Sequence, residues 1–231
     1  ARTARVHGAT VINHAQVETF KYDASKICGV KITDNLSGQV FHVKCKAVIN
    51  ATGVFADEIM QMDDAHHHNV VSPSQGIHLV VEKEHYNTDF AMLIPRTTDG
   101  RILFAVPWHN KVVIGTTDIK THHITDEPIA TEEEIRFVLN NFNKYTSNEL
   151  KTSDIKSVFA GLRPLVSMKN FQSTADLIRD HVVYVSSSGL VTITGGKWAT
   201  YRKMARDAVN KAIKVSNLPF RRCKTRNVKL I

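Results

Sequence analysis

Apolar and polar positions alternate with a period of two over much of the chain, in short runs broken by turn residues. Ile27 to Thr33 alternates, Asp34-Asn35-Leu36-Ser37-Gly38 carries turn chemistry, and Gln39 to Cys45 alternates again. In the last run Phe41, Val43 and Cys45 share one face, and Val40, His42 and Lys44 the other. With the mixed β character of residues 9–22, around Val11, Ile12, Val17 and Phe20, these runs predict a β-meander. Ala47 to Gly53 then reads as an apolar strand ending in small residues, followed by a short helix from Phe55 through Met60. That is strand, glycine turn, helix.

Residues 63–74 are a polar loop containing His66-His67-His68. Strands are expected at Ile77 to Val81 and Ala91 to Pro95, with a hairpin signal at Asp99-Gly100. Arg101 to Val106 and Lys111 to Thr116 pair across Trp108-His109-Asn110. Thr131 and Glu134 have the spacing of a capping box, and the helix they open puts Ile135, Val138, Leu139, Phe142 and Tyr145 on one face. Ser157 to Arg163 is expected to return the chain toward the first domain. Val182 to Ser186 and Leu190 to Thr194 read as strands before the Gly195-Gly196 turn. The final helix carries a packed stripe of Tyr201, Met204, Ala205, Ala208, Val209 and Ala212, with Arg202, Lys203, Arg206 and Lys211 in solvent. The order is α/β (1–62), an antiparallel insert (63–160), α/β again (161–215), then a basic linker (216–231).

The 231 residues are 42% hydrophobic and 23% charged, which suits a soluble globular fold. The net charge of +8 admits a phosphorylated substrate or a peripheral contact with an anionic membrane. No basic stripe is interleaved with aromatics, which argues against a nucleic-acid partner. Cys28, Cys45 and Cys223 are far apart and odd in number, so a reducing compartment is expected, with no disulfide framework and no zinc site. No run approaches the ~20 apolar residues of a membrane-spanning helix. The chain opens on Ala1 and reads as the interior of a longer protein.

Four places can carry chemistry. At Gly195-Gly196 two glycines let the backbone approach a ligand, the following helix offers unpaired N–H groups, and Lys197 adds a charge in its first turn. Asn50-Ala51-Thr52-Gly53 has the same shape. Arg163, stiffened by Pro164, and Arg179, in Ile178-Arg179-Asp180, would form a phosphate clamp with Lys197 if the fold gathers them. His78, in an apolar strand, could face a pocket as a base or donor. Each also has an ordinary alternative, as a tight turn, a surface cation or a buried histidine. The histidine triplet lacks spaced partner ligands, so no metal is expected.

Together these segments resemble the FAD-dependent glycerol-3-phosphate dehydrogenases. The pieces are Val48 to Gly53, Ser74-Gln75-Gly76-Ile77-His78, Ile114-Gly115-Thr116-Thr117-Asp118, Ala160 to Pro164, Arg179-Asp180 and Thr194 to Ala205, in the family's order. The resemblance implies an α/β (α+β) fold, in which a Rossmann-like FAD domain is interrupted by an antiparallel-sheet substrate-binding cap. It implies oxidation of sn-glycerol 3-phosphate to dihydroxyacetone phosphate, with hydride passing to flavin and electrons to quinone or, in an oxidase branch, to oxygen. Alternatives are a related flavoprotein acting on an amino acid or hydroxy acid, or a non-catalytic fragment. It further implies that Arg163 and Arg179 clamp the substrate and that His78 stands near the reacting carbinol. Gly195, Gly196, Lys197, Trp198 and Thr200 would lie beside the flavin. Ala51, Thr52 and Gly53 would line the dinucleotide, and the backbone of Val17 would meet the adenine. A cytoplasmic protein is expected, peripheral on the inner face of the membrane and able to form a homodimer. The family's N-terminal GxGxxG segment has no counterpart here, so this chain would hold FAD weakly or not at all.

Overall fold

A computed structural model describes residues 1–166 and 180–231. It divides into two units. The first holds Ala1–Val71, Val166 and the residues from 180 onward; the second is Ser72–Leu165.

The first unit opens with a short helix, α1 (Arg2–Val6). The meander follows as β1 (Ala15–Asp23), β2 (Lys26–Asp34) and β3 (Val40–Lys44), antiparallel in that order. Residues 9–14, expected to share its β character, lie outside the strands. Phe20, Ile27 and Val30 bury one face together with Leu190, and Val17, Val48, Ile59 and Met60 pack against them. β3 itself is exposed along its whole length. Cys28 and Cys45 are not far apart: the Cys45 amide donates to the Cys28 carbonyl at 2.9 Å, because the β2–β3 register sets them opposite each other. Both are free thiols.

The expected strand at 47–53 shrinks to β4 (Ile49–Asn50), followed by a 3-10 turn at Gly53–Phe55 and α2 (Ala56–Asp63).

The second unit is one six-stranded sheet with a helix on one face. Its strands are β5 (Val71–Glu82, its first residue in the first unit), β6 (Met92–Ile94), β7 (Leu103–Trp108), β8 (Lys111–Gly115), β9 (Ile119–Lys120) and β10 (Ile155–Val166, its last residue in the first unit). The order is β10-β5-β8-β7-β6, with β9 pairing on β5. α3 (Glu132–Asn143) starts at the Thr131–Glu134 capping box and covers the sheet with Val138, Leu139 and Phe142. Against them lie Ile77, Leu79, Val81, Ile94, Leu103, Ala105, Val112 and Ile114. Ser157 to Arg163 does not leave this unit. It belongs to β10, whose Ile155, Val158 and Ala160 pack on the same core and keep the strand in the sheet.

The remaining elements are in the first unit: β11 (His181–Val185), β12 (Val191–Gly195) and α4 (Tyr201–Val215). β12 pairs antiparallel with β11 and parallel with β4. Of the expected stripe on α4, Ala208 and Ala212 are buried, while Tyr201 and Val209 stay about half exposed and line an open apolar groove with Ile213, Val228 and Leu230. Lys203 and Arg206, expected free in solvent, pair with Asp207. The basic tail is tied to α1, the Ile231 amide donating to the Thr3 hydroxyl at 2.9 Å. Among the described residues no helix is long and apolar enough to cross a membrane.

Candidate functional site

In the first unit two parallel neighbouring strands, β4 and β12, both run into a glycine turn and then a helix. Their carboxyl ends therefore lie at one edge of the sheet, the place where open α/β sheets take ligands. Asn50 locks the first turn from inside. Its buried amide donates to the Ala56 carbonyl at 2.9 Å and to the Thr192 hydroxyl at 3.2 Å, and its carbonyl accepts the Thr52 hydroxyl at 2.7 Å. This leaves Ala51 and Thr52 exposed, with Gly53 at φ 63° and open space where its Cβ would be.

The second turn is more crowded. Gly195 and Gly196 have φ of 75° and 76°. A Cβ on Gly195 would lie 2.8 Å from the Asp180 carbonyl oxygen, and one on Gly196 2.6 Å from the Met204 sulfur. The protein itself therefore requires both glycines, whatever binds outside. Lys197 does not lie in the first helical turn, as expected from sequence. It is extended and precedes a 3-10 turn at Trp198–Thr200 that leads into α4. The Thr200 hydroxyl fastens that turn by donating to the Lys197 carbonyl at 2.9 Å. Trp198 is 91% exposed, so its ring is a free platform beside the turn.

Beneath the turn lies His181. Its two ring nitrogens are each 3.0 Å from a carboxylate, Nδ1 from Asp180 and Nε2 from Asp207. The Asp180 carbonyl accepts the Gly196 amide at 3.2 Å. Asp207 also binds Lys203 at 2.9 Å and Arg206 at 3.1 Å, and these donors, Lys203 foremost, hold its pKa down at about 2. Val17 lies in β1 opposite Ile32, just before a register shift, and packs on the cluster containing Val48 and Leu190.

In the second unit the sheet face away from α3 carries the other candidates. His78 is opposite Gly115, which is itself opposite Phe104. Gly115 is small because the His78 ring occupies the space its Cβ would need. Phe159 on β10 stacks on that ring, centroids 4.9 Å apart and planes at 13°. Burial, and then the Arg163 cation, push the His78 pKa below its ordinary value, so its imidazole is neutral at neutral pH and can accept a proton.

Arg163 lies over Gly76, two residues before His78, where any Cβ would collide with the guanidinium. Nη1 donates to the Thr117 carbonyl at 3.0 Å and Nη2 to the Thr116 hydroxyl at 2.8 Å. The Asp118 carboxylate stands 3.7 Å from Nη1 and accepts the Ser74 hydroxyl. The fold thus brings Arg163 and His78 to one surface and gathers Ala51 to Gly53 and Gly195 to Thr200 at one sheet edge. Arg179 lies outside the described residues. His67 is held by Asp57 at 3.1 Å, which accounts for the central member of the triplet.

Sequence reading did not single out Thr116, Thr117, Phe159 or His181. The first two sit inside a quoted motif, and Phe159 stands two residues before a quoted glycine, so their positions carried a signal. His181 carried none.

A family model described as FAD dependent oxidoreductase matches residues 1–202. The chain is 41% identical to a mitochondrial glycerol-3-phosphate dehydrogenase of Arabidopsis thaliana, over all of this chain and 37% of that protein. It is 40% identical to the mitochondrial glycerol-3-phosphate dehydrogenase of Homo sapiens, over 94% of this chain and 31% of that one. The chain thus spans about a third of the length of these relatives. Among solved structures it resembles the glycerol-3-phosphate dehydrogenase of Bacillus halodurans complexed with FAD, with a TM-score of 0.84 and 33% identity. That match covers 96% of this chain and 42% of the other.

Proposed function

This chain belongs to the FAD dependent oxidoreductase family, and from that membership we propose that the protein oxidises sn-glycerol 3-phosphate to dihydroxyacetone phosphate with FAD. The observation that carries the reading is the pairing, on one sheet face, of a seated arginine with a neutral histidine. Arg163 is held over Gly76 by Thr116 and Thr117, and His78 stands beside it. A phosphate dianion needs a fixed cation, and a carbinol losing hydride needs a base for its hydroxyl proton.

The first unit fits the cofactor. Two glycine turns lie at the carboxyl ends of adjacent parallel strands, and the Thr194 hydroxyl is buried there without a hydrogen-bond partner among the described residues. Ala51, Thr52 and Gly53 would line the dinucleotide, with the backbone of Val17 toward the adenine. Gly195, Gly196, Lys197, Trp198 and Thr200 would lie along the flavin. Bound FAD supplies the hydride acceptor; the chain supplies orientation and charge. Lys197 would add positive charge beside the reduced flavin, which is anionic. His78 would take the hydroxyl proton as the C2 hydride leaves, and Arg163 would hold the phosphate; Arg179 is proposed from the sequence as a second phosphate ligand.

The second unit is then the substrate-binding domain and the first the cofactor domain. Electrons pass on to quinone at a membrane, reached by peripheral contact of a basic surface, or to oxygen. An oxygen electrode, with and without a soluble quinone, separates those acceptors.

The deciding experiment is Arg163→Ala in the full-length, flavin-loaded protein. A rise of about 100-fold or more in KM for glycerol 3-phosphate, with flavin absorbance retained, is expected from loss of a charged phosphate contact. An unchanged KM overturns the assignment of substrate.

A further inference from the structure

We infer that Glu134 sets the position of Arg163, and through it the affinity for the substrate's phosphate. The inference rests on Arg163 being the phosphate ligand. In the sequence Glu134 is only a helix-capping residue. In the fold it is 1% exposed, and a buried carboxylate needs donors.

Four donors reach it. The Thr131 amide donates to Oε2 at 3.0 Å, the carboxylate's part in the capping box, and the Thr131 hydroxyl donates to the same oxygen at 3.2 Å. The other two come from the segments that build the Arg163 seat. The Gln75 side-chain amide donates to Oε2 at 2.8 Å, and Gln75 is the neighbour of Gly76 under the guanidinium. The Thr117 hydroxyl donates to Oε1 at 2.8 Å, while the Thr117 carbonyl accepts Arg163 Nη1 at 3.0 Å. The same hydroxyl accepts the Ile77 amide at 3.0 Å, so Thr117 is fixed from two sides.

The start of α3, the Thr116-Thr117 turn and the Gln75-Gly76 stretch of β5 are therefore tied at one carboxylate. Without Oε1 the Thr117 hydroxyl loses its acceptor, and the carbonyl that orients Arg163 loses its anchor. Glu134 touches neither substrate nor cofactor in this reading; it is a positioning residue.

The test uses the full-length, flavin-loaded protein carrying Glu134→Gln, Thr117→Val, Thr117→Ser, Thr131→Ala or Arg163→Ala. KM for glycerol 3-phosphate is measured with kcat, and Kd for the same compound by calorimetry on the flavin-free protein. Glu134→Gln and Thr117→Val should each raise KM and Kd about tenfold while kcat stays within about threefold. Thr117→Ser, which keeps the hydroxyl, should restore both to within about twofold of wild type. Thr131→Ala removes the cap bond from the Glu134 amide and one of the four donors to the carboxylate but leaves the Thr117 bond intact, so it should lower the unfolding temperature and raise KM much less than Glu134→Gln.

Should Glu134→Gln fail to fold, Thr117→Val and its serine rescue decide the matter. If Arg163→Ala raises KM and Kd but Thr117→Val and Glu134→Gln do not, the inference is wrong and the assignment of Arg163 stands. If Thr131→Ala raises KM as much as Glu134→Gln, the effect is helix stability and the inference is wrong. If Arg163→Ala changes neither constant, the assignment of Arg163 fails, and the inference with it.

Discussion

The guanidinium of Arg163 occupies the space where a side chain on Gly76 would begin. The two residues are far apart in sequence and belong to different strands, β10 and β5, that neighbour each other in the sheet. Gly76→Ala should therefore displace Arg163 without touching its chemistry. Stability is expected to fall by about 1–3 kcal/mol, as for overpacking. The KM for glycerol 3-phosphate should rise toward that of Arg163→Ala. Steady-state kinetics on the two variants, alone and combined, check this: coupling through one seat makes the double variant little worse than Arg163→Ala.

His78 should show in the pH profile. Its folded pKa lies below the ordinary histidine value of 6.5, through burial first and the Arg163 cation second. The neutral base is then fully present near neutrality, and kcat/KM should hold level there and fall on acidification with an apparent pKa under 6.5. The stability sign agrees: the unfolded chain binds the proton more readily, so acidification through this range favours unfolding. Imidazole NMR titration of Arg163→Gln should show the His78 pKa moving up, though not fully to 6.5, because burial remains.

Gly196 combines a left-handed φ of 76° with contact to Met204. Gly196→Ala should cost about 2–4 kcal/mol, from backbone strain plus displaced packing. Denaturant unfolding measures the loss. Gly53→Ala is the contrast. Gly53 has a φ of 63° but no neighbouring atom within 4 Å of a Cβ, so about 1–2 kcal/mol of strain is expected there.

Asp207 binds Lys203, Arg206 and His181, and its pKa is held at about 2 against an ordinary 3.8. A lowered carboxylate pKa contributes stability that is present above the unfolded value and lost as pH falls through the folded one. Asp207→Asn should thus destabilise the protein near neutrality. The carboxylate is partly exposed, which screens the effect to ~1 kcal/mol. The gap to wild type should close between about pH 4 and pH 2. Urea unfolding at several pH values reads it directly.

What the sequence determined is local. The meander alternates around Phe20 and Val30, which pair on a buried face, and β2 and β3 are joined by a turn that Asp34 to Gly38 spell out. The hairpin at His109-Asn110 and the Thr131–Glu134 box likewise involve residues within a few positions of one another. The motifs that carry the family likeness were visible too, because glycines and stiffened arginines are conspicuous in a chain.

What only the tertiary structure decided depends on register between strands far apart in sequence. Arg163 lies 46 positions beyond Thr117, and that stretch leaves no trace of the carbonyl that seats the guanidinium. His181 gives no sign of standing between Asp180 and Asp207. The length of β10 was hidden for the same reason. A strand is held in its sheet by the neighbour it bonds to, and the register between the two fixes which of their residues meet.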